Sequence, residues 1–245
     1  MIVGAALLSG AFTVSAADAA PARNVILVHG ALADGSGWMG VYHRLKAKGY
    51  KVQVVQQPQT SEEEDVQAVK RAIALADGPV VLVGHSYGGQ LITEAGDDPK
   101  VTALVYVAAA VPDVGESLED LFKITPSPTA DAIRATPDGF LMLDPARFHD
   151  AFAADLPGDQ SDFMADSQVM IAAKAFDTKT KVAAWKVKRS YGIVPQLDRT
   201  ASPVLERFMY TRANAEITEI PGASHAVFVS HPAEVAAVIE KAAAN

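Results

Sequence analysis

The sequence predicts an α/β fold: a mostly parallel sheet of about six strands, helices on both faces, and a helical insertion late in the chain. Three observations carry this. Short apolar runs alternate with helical segments through the first 110 residues. The runs are close to continuous, as in strands buried on both faces. Each connection is long enough for the crossover that parallel strands require.

"NVILVH", Asn24 to His29, is the first strand, ended by Gly30. "GSGWMGVYHRLKAKGY" reads as a helix with Gly49 at its end. "KVQVVQQP" is a second strand, stopped by Pro58. Ser61 and Glu64 have capping-box spacing, and Val66, Val69 and Ile73 fall on one face of the helix that follows. "VVLV", residues 80 to 83, is a third strand, "YGGQLITEAG" a helix and "VTALVYVAAA" a fourth strand ended by Pro112.

Residues 112 to about 185 break the rhythm with short helical pieces such as "LEDLFKI" and "DPARFHDAFAADL". Six of the nine Phe residues lie there, with Met142, Met164, Met170 and Trp185, so a helical cap should supply both a small core and pocket wall. The alternation resumes with the strand "RSYGIVPQLD", the helix "PVLERFMYTRANA", the strand "EITEIPG" and the terminal helix "HPAEVAAVIEKAAA". One domain, 21 to 245, accounts for all of this.

Composition narrows the function. A net charge of −8 and no basic run argue against a nucleic-acid partner. The absence of cysteine excludes disulfides, thiolate catalysis and cysteine-ligated metals, and no His pair has metal-site spacing. Residues 1 to 20 pair an apolar run, Ile2 to Val14, with small residues around Ala17-Asp18-Ala19, the pattern of a secretory signal peptide without its leading positive charge. Cleavage would start the mature chain near Ala20 and place it in the periplasm or outside the cell; an uncleaved chain would stay in the cytoplasm. The run is too short for a membrane span of ~20 residues.

The chemistry centres on "VVLVGHSYGGQ". Gly84-x-Ser86-x-Gly88 at a strand-to-helix junction is a nucleophile-elbow pattern, a turn so tight that a Cβ at 84 or 88 would meet neighbouring backbone. The helix start behind Ser86 offers free amides and partial positive charge to an oxyanion. Serine needs a base. Of the six histidines, His225 suits best, on the loop between the last strand and the last helix. His231 sits at a helix entry before Pro232, His43 falls within a helix, and His85 should point away from the hydroxyl. Asp198, after the strand "YGIV", is the candidate acid that orients the base, with Asp113 and Glu206 as rivals. Backbone amides of Tyr87 and Ala31 are the candidate oxyanion donors, and Gly30 would let the backbone approach substrate.

"LVHGALADGSGW", "VVLVGHSYGG", "LDRTASPVLERF" and "GASHAVFVSHP" resemble the α/β-hydrolase superfamily. They are most similar to its small bacterial esterase-like members, relatives of plant methylesterases and hydroxynitrile lyases. The resemblance runs from Asn24 to the C-terminus, with the pattern starting at what is the third strand of full-length members. It implies Ser86, Asp198 and His225 as a triad, with Ala31 and Tyr87 as oxyanion donors. Cyanogenic lyases of the group carry Lys directly after the histidine; here it is Ala226, which argues against lyase chemistry. Ser86 argues against dehalogenases and epoxide hydrolases of the fold, which use Asp as nucleophile. The residues before Asp198 are Gln196 and Leu197, where similar sequences carry polar or acidic ones.

The expectation is a serine hydrolase acting on a small apolar ester, with Gly30 and Trp185 contacting substrate and no cofactor or metal required. The alternatives are a ligand-sensing protein with little turnover and a cofactor-free perhydrolase.

Overall fold

A computed structural model describes residues 22 to 244; the expected signal segment lies outside the described residues. The chain runs β1 (Asn24–Val28), α1 (Met39–Ala47), β2 (Lys51–Val55), α2 (Glu62–Leu75), β3 (Val80–His85), α3 (Gly88–Ala95) and β4 (Val101–Val107). Then come α4 (Leu118–Ile124), β5 (Ile133–Ala135), β6 (Phe140–Leu143), α5 (Pro145–Phe152), α6 (Gly158–Asp166), β7 (Ile171–Ala172) and α7 (Lys174–Asp177). The last elements are β8 (Arg189–Pro195), α8 (Pro203–Arg212), β9 (Glu216–Ile220), α9 (Val227–Ser230) and α10 (Pro232–Ala244).

Six strands form one sheet in the order β2-β1-β3-β4-β8-β9, and every pairing is parallel. The strand period of two sorts its side chains between two cores. Ile26, Val28, Leu82, Leu104 and Tyr106 pack on one side with Val69 and Ile73 of α2, Leu91 of α3 and Leu205 of α8. Val25, Leu27, Val81, Val83, Val105 and Val107 pack on the other with Val41 and Leu45 of α1 and Val235 and Ile239 of α10. Continuous apolar runs are the signature of a sheet covered in this way.

The insertion between β4 and β8 is mixed rather than purely helical. Besides α4 to α7 it holds a three-stranded antiparallel sheet, β5-β6-β7. Gly139, at φ +87°, turns the chain from β5 into β6. Strands of two to four residues are too short to express a period. The insertion covers the C-terminal ends of the main strands, the edge where open parallel sheets collect ligands.

Candidate active site

Ser86 stands between β3 and α3 with φ +52°, a conformation that costs an L-residue energy and turns its side chain outward. Four of the five described non-glycine residues at positive φ border this region: Leu32 after β1, Gln59 after β2, Ser86 after β3 and Ala108 after β4. The glycines make the turn sterically feasible. A Cβ on Gly84 would lie 2.5 Å from the Gly88 carbonyl oxygen, and one on Gly88 would lie 2.7 Å from that of His29. The Ser86 carbonyl accepts the amides of Gly89 (2.9 Å) and Ala110 (3.1 Å), pinning the elbow to the end of β4.

Gly30 lies against the serine: a Cβ there would come within 2.7 Å of the Ser86 Cβ. It thus lets β1's loop pass behind the hydroxyl, and it does not line the cavity described below. Ala31 and Tyr87 flank Ser86 on the cavity floor. Among the described residues neither of their amides donates to a backbone carbonyl.

Asp198 follows β8 and His225 follows β9, so both loops open on the edge that carries Ser86. His225 Nδ1 donates to Asp198 Oδ2 at 2.6 Å, and neither side chain has any exposed surface. Asp198 Oδ1 accepts the amides of Thr200 (2.7 Å) and Ala201 (2.8 Å), which stabilise a buried carboxylate. The other ring nitrogen, His225 Nε2, is buried and has no hydrogen-bond partner among the described residues. The cap holds this loop: the Phe152 carbonyl accepts from the Ala226 amide (3.0 Å) and the Ser224 hydroxyl (3.2 Å). The Phe152 ring meets the imidazole edge-on, centroids 4.8 Å apart.

His85 does point away from the cavity. Its Nε2 donates to the His225 carbonyl at 3.0 Å, and burial pushes its imidazole well below the usual range, keeping it neutral. His29 is likewise lowered by burial, and its Nδ1 donates to the Gly30 carbonyl at 2.9 Å.

Above Ser86 lies a cavity of about 390 Å³. Its walls are chiefly apolar, with Leu118 and Phe122 from α4, Leu141 from β6, Phe152 from α5 and Phe176 from α7. Lys123 and Glu119 stand at its exposed end, 3.3 Å apart. Trp185 is absent from this lining. It packs where the insertion rejoins the main domain, its indole N–H donating to the Pro112 carbonyl at 2.8 Å and its ring lying under Lys186 and Arg212. Its aromatic surface packs at the cap's return.

Residues not singled out from sequence support the floor. The Tyr87 hydroxyl donates to Asp65 Oδ2 at 2.8 Å, and Asp65 Oδ1 accepts the Gln59 amide at 2.7 Å. The Gln59 side chain donates to the Ala33 carbonyl at 3.0 Å, so one network ties the loop of Ala31 to the ring of Tyr87. Burial raises the Asp65 carboxyl to about 6 and also lifts the Tyr87 phenol well above its usual value. The signal for these residues was the acidic run "SEEED", which also has the pattern of a solvated first turn.

The model of the alpha/beta hydrolase family matches residues 25–238. Esterase PIR7B from Oryza sativa subsp. japonica is 28% identical over 270 aligned residues, covering 90% of this chain and 96% of that protein. A pyrethroid hydrolase from Sphingobium wenxiniae is 26% identical, covering 88% of this chain and 86% of its own length. Among solved structures, polyneuridine aldehyde esterase superposes with a TM-score of 0.77 over 90% of this chain and 98% of its own. At 18% identity that last likeness concerns the fold alone.

Proposed function

Since the chain belongs to the alpha/beta hydrolase family, we propose that it is a serine hydrolase cleaving a small apolar carboxylic ester. The observation that carries this reading is Ser86 at φ +52° on the floor of an apolar cavity, with a fully buried His225–Asp198 pair on the loops beyond. Relatives named as an esterase and a hydrolase favour an ester substrate.

In this reading His225 Nε2 takes the Ser86 proton as Oγ bonds to the acyl carbon. The carbonyl π pair moves onto oxygen, which the Ala31 and Tyr87 amides receive. Each such donor typically lowers the barrier by ~3 kcal/mol. Asp198 stabilises the imidazolium without taking its proton. Collapse expels the alcohol oxygen, which takes the proton from Nε2. Water then gives a proton to Nε2 and attacks the acyl-enzyme. Collapse breaks the acyl–Oγ bond, Ser86 Oγ takes that proton back from Nε2, and the carboxylic acid leaves.

Labelling with a fluorophosphonate tests this. The folded protein should be labelled at Ser86, and Ser86→Ala should lose both labelling and hydrolysis of short- and long-chain aryl esters. Equal ester turnover by the two proteins would falsify the mechanism. Labelling without turnover of any ester would point to a ligand-sensing role. Faster acyl transfer to hydrogen peroxide than to water would point to a perhydrolase.

A further inference from the structure

Glu206 lies on α8 with no exposed surface. One of its carboxyl oxygens, one oxygen of Asp198 and one ring nitrogen of His225 all fall within 4.8 Å of one another. Neither Glu206 oxygen receives a hydrogen bond from any donor among the described residues. Asp198 next to it is amply supplied, with two amides on Oδ1 and the imidazole on Oδ2.

Two carboxylates cannot both be ionised at such a distance inside a protein without a large cost. The donors decide which of them carries the charge. Asp198 has three, so it is built as the anion. Glu206 has none, and a buried oxygen with no donor is satisfied only if the group itself donates. An ionised carboxylate still has lone pairs to accept such a bond.

We propose that Glu206 is a positioning residue: it keeps a proton on its carboxyl and donates that O–H to Asp198, fixing the Asp198 carboxylate against His225 Nδ1. This rests on the reading of Ser86, His225 and Asp198 as the reacting groups. The charged and titratable surroundings agree. Arg207, the neighbouring cation on α8, is engaged outward by Glu219 through two hydrogen bonds of 2.7 and 2.9 Å. Tyr210, one turn along α8, accepts the Ala109 amide at 2.7 Å, and its phenol is held well above its usual value chiefly by burial. Tyr106 of β4 shares a hydrogen bond of 2.9 Å with Thr93. Asp198 and His225 approach it from the loops after β8 and β9. Burial, and then the negative charge of Asp198, push the Glu206 carboxyl well above the usual carboxylate range.

A hydrogen bond donated to Asp198 satisfies part of its charge and moderates its pull on the imidazolium. Losing the donor strengthens that pull. The conservative variant Glu206→Gln keeps a donor, its amide N–H, without a titratable proton. Glu206→Leu keeps the volume and removes the donor.

The infrared spectrum at neutral pH supplies a test independent of turnover. Wild type should show the carbonyl stretch of a protonated carboxylic acid that Glu206→Gln lacks; identical carboxylic-acid bands in the two proteins overturn the proposal. The acid limb of the kcat/KM profile supplies the second readout. It should stay in place in Glu206→Gln and move up by about one pH unit in Glu206→Leu. A downward move in Glu206→Gln means an ionised Glu206 and overturns the proposal. An unmoved limb in folded Glu206→Leu means a space-filling role and overturns it too. If Glu206→Leu does not fold, the infrared comparison decides. Fluorophosphonate labelling of wild-type Ser86, run alongside, separates failure of this proposal from failure of the hydrolase reading.

Discussion

Asp198 and His225 share a 2.6 Å hydrogen bond from which solvent is wholly excluded. In the proposed mechanism this buried anion stabilises the positive charge that His225 acquires during turnover. Asp198→Asn preserves the shape and removes the charge. It should lower kcat/KM for any ester the protein hydrolyses by ~10³–10⁴-fold, with rates of fluorophosphonate labelling falling in parallel. Retention of more than a tenth of wild-type activity would mean that the pair is structural.

Glu62 should make stability depend on pH. Burial, then the nearby Glu94, raise its carboxyl to about 7 from 4.5. Between those values the folded state holds a proton that the unfolded chain has released. The unfolded state therefore binds fewer protons, and stability falls as pH rises through this window. Glu62→Gln removes that dependence. The variant should match wild type near pH 4 and exceed it above pH 7 by on the order of 1–3 kcal/mol, read from denaturant melts at both ends. Equal pH slopes for the two proteins would show that Glu62 titrates normally.

Trp185 offers the converse test, a large aromatic whose loss should spare activity. Trp185→Phe removes the hydrogen bond to the Pro112 carbonyl, at a cost of roughly 1–2 kcal/mol in stability. KM and kcat for apolar esters should stay within twofold at a temperature where both proteins are folded. A marked rise in KM would restore the indole to the substrate site.

Phe176 and Tyr87 stack at 6.4 Å between centroids, and both line the cavity. Phe176→Ala enlarges the chamber beside Ser86 and should raise kcat/KM for bulky acyl groups relative to acetyl esters. A ratio unchanged from wild type would place the acyl group elsewhere.

Much of the fold was legible because burial on both faces leaves continuous apolar runs such as "VILV" and "VVLV", which few other environments tolerate. Ser86 was legible because the turn beneath it admits only glycine at 84 and 88. Asp198 and His225 could be placed because each follows a strand of the same sheet. The small cap sheet was not legible, since "FLML" fits a helix as well as a strand. Asp65, and the burial of Glu206, which the sequence offered only as a rival acid, were hidden for a different reason. Each is an acid on a helix, a position that is usually solvated, and only tertiary packing shows that both are buried. The packing of Trp185 was not legible because an aromatic in an insertion can fill a pocket or anchor the insertion, and composition alone treats the two alike.

The Phe152 carbonyl, bonded to the loop of His225, gives the cap two ends of unequal freedom. The end at α5 cannot swing away without dragging the imidazole with it. At the other end, Phe122 and Lys123 of α4 and Ile133 of β5 make no hydrogen bond, among the described residues, to Ser86, Asp198 or His225. Under the proposed function, descendants of this sequence can therefore drift at the α4 end, trading one ester for another, while the α5 end is held by its hydrogen bond to the His225 loop. A new specificity should come by accumulating changes at one rim of the chamber and leaving the other alone.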